Sequence, residues 1–145
     1  RKLLFEQLCQ SKDSQLAAIA EKSLKETKYH LKHSSEWVIR LGDGTEESHE
    51  RVQKAVNDLW SYTEELFYSD SVDETLIADG IAVDLSKLID PWHANVAAVL
   101  SQATLEMPKI SWQHSGGRTG KHSEHLGFLL SEMQYMQRTY PGMEW

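Results

Sequence analysis

The sequence predicts an all-α fold, and three features of the chain point to it. All three prolines lie beyond position 90, so most of the chain is free of the residue that breaks helices. No stretch alternates apolar and polar residues as a half-buried strand does. Apolar residues instead recur at spacings of three and four, which is the period of one helix face. With 145 residues the chain is long enough to bury a core, so we predict a single helical domain over residues 1–145.

The composition restricts the possible partners. Charged residues make up 26% of the chain and the formal net charge is -7 at pH 7, so no basic field is available for a nucleic-acid backbone. No apolar run approaches the roughly 20 residues that span a bilayer, and the N-terminus has no signal-peptide pattern. Cys9 is the only cysteine, which excludes an internal disulfide and favours a reducing compartment. We therefore expect a cytoplasmic protein that binds neither nucleic acid nor membranes.

The first two helices are separated by a short polar break. The first segment runs to about Gln10, and Asp13 or Ser14 can cap the helix that follows. That second helix is predicted from about residue 14 to residue 41. Gly42-Asp43-Gly44 is expected to end it, because glycine readily adopts the left-handed conformation that closes a helix. The predicted buried stripe of this helix consists of Leu16, Ala20, Leu24, Thr27, Leu31, Ser34, Val38 and Leu41.

The third helix is predicted from about residue 45 to residue 67. Acidic residues in its first turn complement the helix dipole. Short helical turns follow over residues 69–90, with Gly80 as a stop and Asp84 as a possible cap. The predicted buried stripe of the third helix consists of Val52, Val56, Leu59, Thr63 and Leu66, and Trp60 and Phe67 widen it.

Two further helices are predicted in the remainder of the chain. Asp90-Pro91 is typical of a helix start, a capping carboxylate followed by proline at the first helical position. This helix stops before Pro108, and a polar, glycine-rich loop follows over residues 110–121. The last helix is predicted over residues 122–139, and Pro141-Gly142 ends it.

The second helix carries a candidate metal pair, Glu26 and His30. They belong to a second stripe beside the apolar one, so we expect them to be partly buried together, one turn apart. Di-iron carboxylate bundles use a Glu-x-x-His pair on each of two helices, whereas Tyr29 stands three residues after Glu26 here. That shift of one residue degrades the motif. We favour a hydrogen-bonded pair inside a helix interface, and a metal-binding oxidase or oxygenase that uses Glu26 and His30 is the alternative.

A second candidate site lies in the glycine-rich loop. The segment over residues 115–122 fails as a phosphate loop, which needs glycine in place of Ser115 and Ser or Thr in place of His122. Arg118 and Lys121 nevertheless precede a predicted helix N-terminus, where an anion is electrostatically favoured. A phosphate of coenzyme A is one possible ligand of these two cations, which makes a CoA-binding module a further alternative. An ordinary solvated loop is the other interpretation.

Several motifs, in order along the chain, resemble the C subunits of phenylacetyl-CoA epoxidase, the PaaC family. They are QLAAIAEKSLKE at 15–26 with Tyr29-His30-Leu31, LGDGTEES at 41–48, Leu59-Trp60 with TEELF at 63–67, Gly116-Gly117-Arg118 with Gly120 and His122, EHLG at 124–127, and EMQ at 132–134.

The resemblance implies a ferritin-like bundle with additional C-terminal helices, of which this chain is a part. Members of the family carry further helices upstream, and the opening Arg1-Lys2, which leads directly into an amphipathic segment, agrees with a fragment. The family is similar in fold to the catalytic A subunit, has a degenerate metal site and supports that subunit structurally. No cofactor is implied for this chain, because iron is held by the A subunit and NADPH serves the wider complex. Apolar stripes without neighbours also predict self-association of the isolated chain.

Overall fold

A computed structural model of the chain describes residues 1–109 and 112–144. Within those ranges every regular element is helical, as predicted, and the first two residues of the predicted 110–121 loop lie outside them. The chain divides into two compact units, Arg1–Gln113 and His114–Trp145, which are described separately below. The single domain over residues 1–145 stays a prediction. No helix of the described residues is long and apolar enough to cross a membrane.

The first unit contains five α-helices and two 3-10 turns, and the second contains two α-helices and one 3-10 turn within the described ranges. In chain order the first unit has α1 (Lys2–Leu8), α2 (Ser14–Gly42), α3 (Glu46–Trp60), the turn Glu64–Phe67, α4 (Ser71–Ala78), the turn Leu85–Leu88 and α5 (Ile89–Gln102). The second unit has the turn Gly117–Thr119, α6 (His125–Met133) and α7 (Tyr135–Thr139).

The start of α2 is set by a side-chain cap. Oδ1 of Asp13 accepts hydrogen bonds from the backbone N–H groups of Gln15 and Leu16, both at 2.9 Å, which confirms Asp13 as the cap. The expected reason for the end of α2 is wrong. Neither Gly42 nor Gly44 has a positive φ, so no left-handed glycine closes the helix.

Gly42 instead permits a close approach between two helix ends. A Cβ atom at Gly42 would lie 2.4 Å from the carbonyl oxygen of Ala103 and 2.8 Å from the Ala103 Cβ. The chain reverses after α5 through Thr104, whose φ of 57° is left-handed and whose hydroxyl donates to the Gly42 carbonyl at 3.2 Å. The buried cluster at this junction is Leu100, Ala103 and Leu105, with Val38, Ile39, Val52, Val56, Trp60 and Val96 packed against it.

The segment that follows α5 is also fixed to α3. The side-chain amide of Gln53 donates to the Glu106 carbonyl at 3.1 Å, and its oxygen accepts from the Glu106 N–H at 2.8 Å. These two hydrogen bonds pair both backbone polar groups of Glu106, its N–H and its C=O, in a segment without regular secondary structure. The core of the first unit therefore lies where the C-terminal ends of α2 and α5 meet α3.

The predicted third helix is too long. It starts where predicted, after Thr45, whose hydroxyl accepts from the Ser48 N–H at 3.2 Å, but α3 ends at Trp60. The hydroxyl and the N–H of Thr63 both donate to the Trp60 carbonyl, at 2.8 and 3.1 Å. Because a threonine side chain competes for a carbonyl that would continue the helix, the chain tightens into a separate 3-10 turn.

The predicted start of α5 at Asp90-Pro91 is displaced. Gly80 has a φ of 75° and Asp84 caps the turn Leu85–Leu88, both as predicted. That turn leads directly into α5, which begins at Ile89, so Asp90 is not its cap and Pro91 is its third residue. A proline is tolerated there because the first N–H groups of a helix have no partner within it.

The predicted last helix is two helices in the second unit. α6 begins at His125, three residues later than predicted, after Glu124 as its N-cap residue without a side-chain cap hydrogen bond. α7 follows after Gln134, whose N–H bonds to the Leu130 carbonyl. The prediction of one helix missed this interruption, since no glycine or proline marks it in the sequence.

Candidate interaction sites and the Glu26–His30 pair

Glu26 and His30 lie on α2, but the prediction of their burial is wrong. His30 Nε2 lies 3.7 Å from Glu26 Oε1, and the two side chains are 61% and 75% exposed. The two side chains are close enough for a surface electrostatic contact, but the distance is too long for a hydrogen bond. Glu26, His30, His33 and Trp37 on this side of α2 are all exposed, so this part of the second stripe lies on the surface of the first unit. The helix interface expected around the pair is absent from the described residues of that unit.

The donor set around this pair does not fit a di-iron centre. Such a centre draws on two Glu-x-x-His pairs and two further glutamates. Over residues 1–109 and 112–144, no group of three or more His, Cys, Asp or Glu side chains is arranged to hold a metal ion. Glu26 and His30 thus supply two donors on an open surface. Whether the chain takes up iron stays a matter of prediction.

The exposed stripe of α2 is rich in rings. The Tyr29 and His33 rings are stacked with centroids 6.2 Å apart, and the His33 and Trp37 rings meet edge to face at 6.4 Å. The guanidinium carbon of Arg40 lies 5.8 Å from the Trp37 ring centroid, within cation–π range. We call these four residues the aromatic face. Tyr, Trp and Arg are enriched at protein interfaces, so the face has the composition of an interaction surface. The helical spacing of these residues is visible in the sequence, whereas their exposure is not.

Arg118 and Lys121 lie on an exposed loop of the second unit. The Gly116 carbonyl accepts from the Thr119 N–H at 3.0 Å, the Thr119 hydroxyl at 3.0 Å and the Lys121 N–H at 2.8 Å. A phosphate loop presents its N–H groups to the ligand, and here two of them are already engaged within the turn. Glu124 also places a carboxylate at the start of α6. CoA binding by Arg118 and Lys121 stays a prediction.

An apolar groove of about 1080 Å³ opens between the helices of the first unit. The stripe predicted for the third helix faces it, but that stripe is not fully covered: Leu59 is 64% exposed and Leu66 is 59% exposed. Leu31 and Leu41 of α2 also line the groove and are exposed. Its principal apolar lining residues are Leu3, Leu4, Leu31, Val38, Leu41, Val52, Val56, Leu59, Trp60, Leu66, Phe67, Leu85, Leu88, Trp92, Val96, Val99 and Leu100.

The charged residues that line this groove are all basic. They are Arg1, Lys2 and Arg51, and no Asp or Glu of the described residues lines it. The chain as a whole has 22 acidic and 15 basic residues, so the groove has the opposite sign to the average surface. The sequence carries no signal for this, because Arg1 and Arg51 lie far apart along the chain and only the packing of the first unit brings both to the groove lining.

Comparison with known proteins identifies the family. The chain matches the family described as phenylacetic acid catabolic protein over residues 1–145. It belongs to this family. It is also 48% identical over 142 residues to the C subunit of the 1,2-phenylacetyl-CoA epoxidase of Escherichia coli (strain K12). The match covers 98% of this chain and 57% of that relative, so the chain spans little more than half of the relative's length.

Membership in the phenylacetic acid catabolic family confirms the resemblance inferred from the short motifs, which are spread over most of the matched range. It agrees with the predicted fold class, since the described residues are all-α and the family is ferritin-like. Helices are also present after the α2–α3 pair, as the prediction of additional C-terminal helices requires: α4, α5, α6 and α7.

Proposed function

We propose that the chain is part of a structural, non-catalytic subunit of a multicomponent oxygenase that forms the ring 1,2-epoxide of phenylacetyl-CoA in aerobic phenylacetate degradation. Its role in that complex is to support the di-iron catalytic A subunit, whose reaction consumes oxygen and NADPH. The observation that carries the proposal is the 48% identity to the epoxidase C subunit over 98% of this chain. The same proposal assigns the chain to the cytoplasm, in keeping with the free Cys9.

A structural role is supported by the geometry of the candidate chemistry. Glu26 and His30 are the residues that a catalytic role would use, and they form an exposed pair on α2 with no third donor in the described part of the chain. The first unit instead offers two surfaces suited to protein contacts, the aromatic face and the apolar groove. Exposed apolar and aromatic surfaces of this kind are suited to binding another subunit.

Reconstitution of the complex tests this proposal. The catalytic A subunit and its reductase are assayed for oxygen- and NADPH-dependent epoxidation of phenylacetyl-CoA, with the subunit that contains this chain either present or omitted. We expect the activity to depend on that subunit. A Glu26→Ala, His30→Ala double variant should restore the activity as well as the unchanged subunit does, because neither side chain contacts the reacting atoms.

Iron content separates the structural role from the metal-binding alternative. After aerobic iron loading, elemental analysis of the purified chain should give no stoichiometric iron, and the double variant should give the same result. About two irons per chain that disappear in the double variant would establish the alternative. A double variant that assembles normally but loses turnover would place chemistry at this pair.

A further inference from the structure

We draw no further inference here: the strongest candidate, the aromatic face of α2 formed by Tyr29, His33, Trp37 and Arg40, is an exposed helix face, and nothing in the described residues shows what covers it.

Discussion

Asp84 caps the turn Leu85–Leu88 and also contacts a lysine within that turn. Its Oδ1 accepts from the Ser86 hydroxyl at 2.6 Å and from the Ser86 N–H at 3.1 Å, and Lys87 Nζ lies 3.3 Å from its Oδ2. The hydrogen bond from the Ser86 side chain is the main reason that the pKa of Asp84 lies below its ordinary value of 3.8. The carboxylate, which caps the turn Leu85–Leu88, therefore stays charged to a lower pH than an ordinary aspartate does.

A Ser86→Ala substitution should raise the pKa of Asp84 toward its ordinary value, because the largest stabilising contact of the charged form is removed. Carboxyl carbon shifts in an NMR titration measure this, with Ser131→Ala as a control far from Asp84 in sequence. The sign for stability follows from a folded-state pKa that is lowered. The contribution is complete above pH 3.8 and is lost as the pH falls through the lowered value. An unchanged pKa in the variant would show that the hydroxyl is not responsible.

Glu26→Gln should change the stability of the chain very little. Glu26 and His30 form an exposed i,i+4 pair, and such pairs contribute about 0.3 kcal/mol. Glu36→Gln is a matched control, since Lys32 and Glu36 form a similar exposed pair at 3.8 Å on the same helix. Urea unfolding followed by circular dichroism compares the two variants. A loss above about 1 kcal/mol for Glu26→Gln alone would indicate the buried pair that the sequence predicts.

At the scale of elements, Gly42 holds α2 against the segment that leaves α5. Gly42→Ala should destabilise the first unit by about 1–3 kcal/mol, because the added Cβ would meet the Ala103 carbonyl oxygen at 2.4 Å and backbone cannot yield cheaply. Thermal and urea unfolding measure the loss.

Gly127→Ala is the matched control for this prediction. Gly127 lies within α6 and nothing stands within 4 Å of its added Cβ, so alanine should be neutral or stabilise the helix by about 0.5–1 kcal/mol. Equal effects of the two substitutions would contradict the close approach of α2 to Ala103. The comparison thus isolates tertiary contact from helix propensity.

The observed helix ends match the sequence prediction where a nearby side chain caps the helix. They differ from the prediction elsewhere. Asp13, Thr45 and Asp84 cap their elements through hydrogen bonds within three residues, so their roles are readable from the chain alone. The end of α3 at Trp60 and the break at Gln134 are different. No glycine or proline marks either of these two helix ends. Apolar residues continue at helical spacing past each of them, so the sequence predicts a longer helix.

The whole molecule should not remain a monomer in isolation. The apolar groove and the aromatic face expose large side chains, among them Leu59, Leu66, Tyr29 and Trp37. Contiguous exposed apolar surface usually drives association. Light scattering over a dilution series should therefore give a mass above 16.6 kDa at micromolar concentration.

A substitution in the groove tests whether that surface takes part in the association. Leu59 lines the groove and is 64% exposed, so a charged side chain there should oppose burial of the groove between copies. Leu59→Asp should reduce the association and Glu36→Gln should not. A cooperatively folded monomer at every concentration would contradict the prediction and show that the chain satisfies these surfaces by itself.

The sequence by itself determined the helical class, the caps at Asp13 and Asp84, the stop at Gly80 and the family, since each depends on neighbours along the chain or on motifs in order. Only the tertiary structure decided that Glu26 and His30 are exposed, because their spacing fixes the distance between them and not what covers them. It likewise decided the contacts of Gly42 with Ala103 and of Gln53 with Glu106, which join residues more than fifty positions apart. Tertiary packing also decides which basic residues line the groove. Helical periodicity determines which side chains share a face, and only packing determines what that face meets.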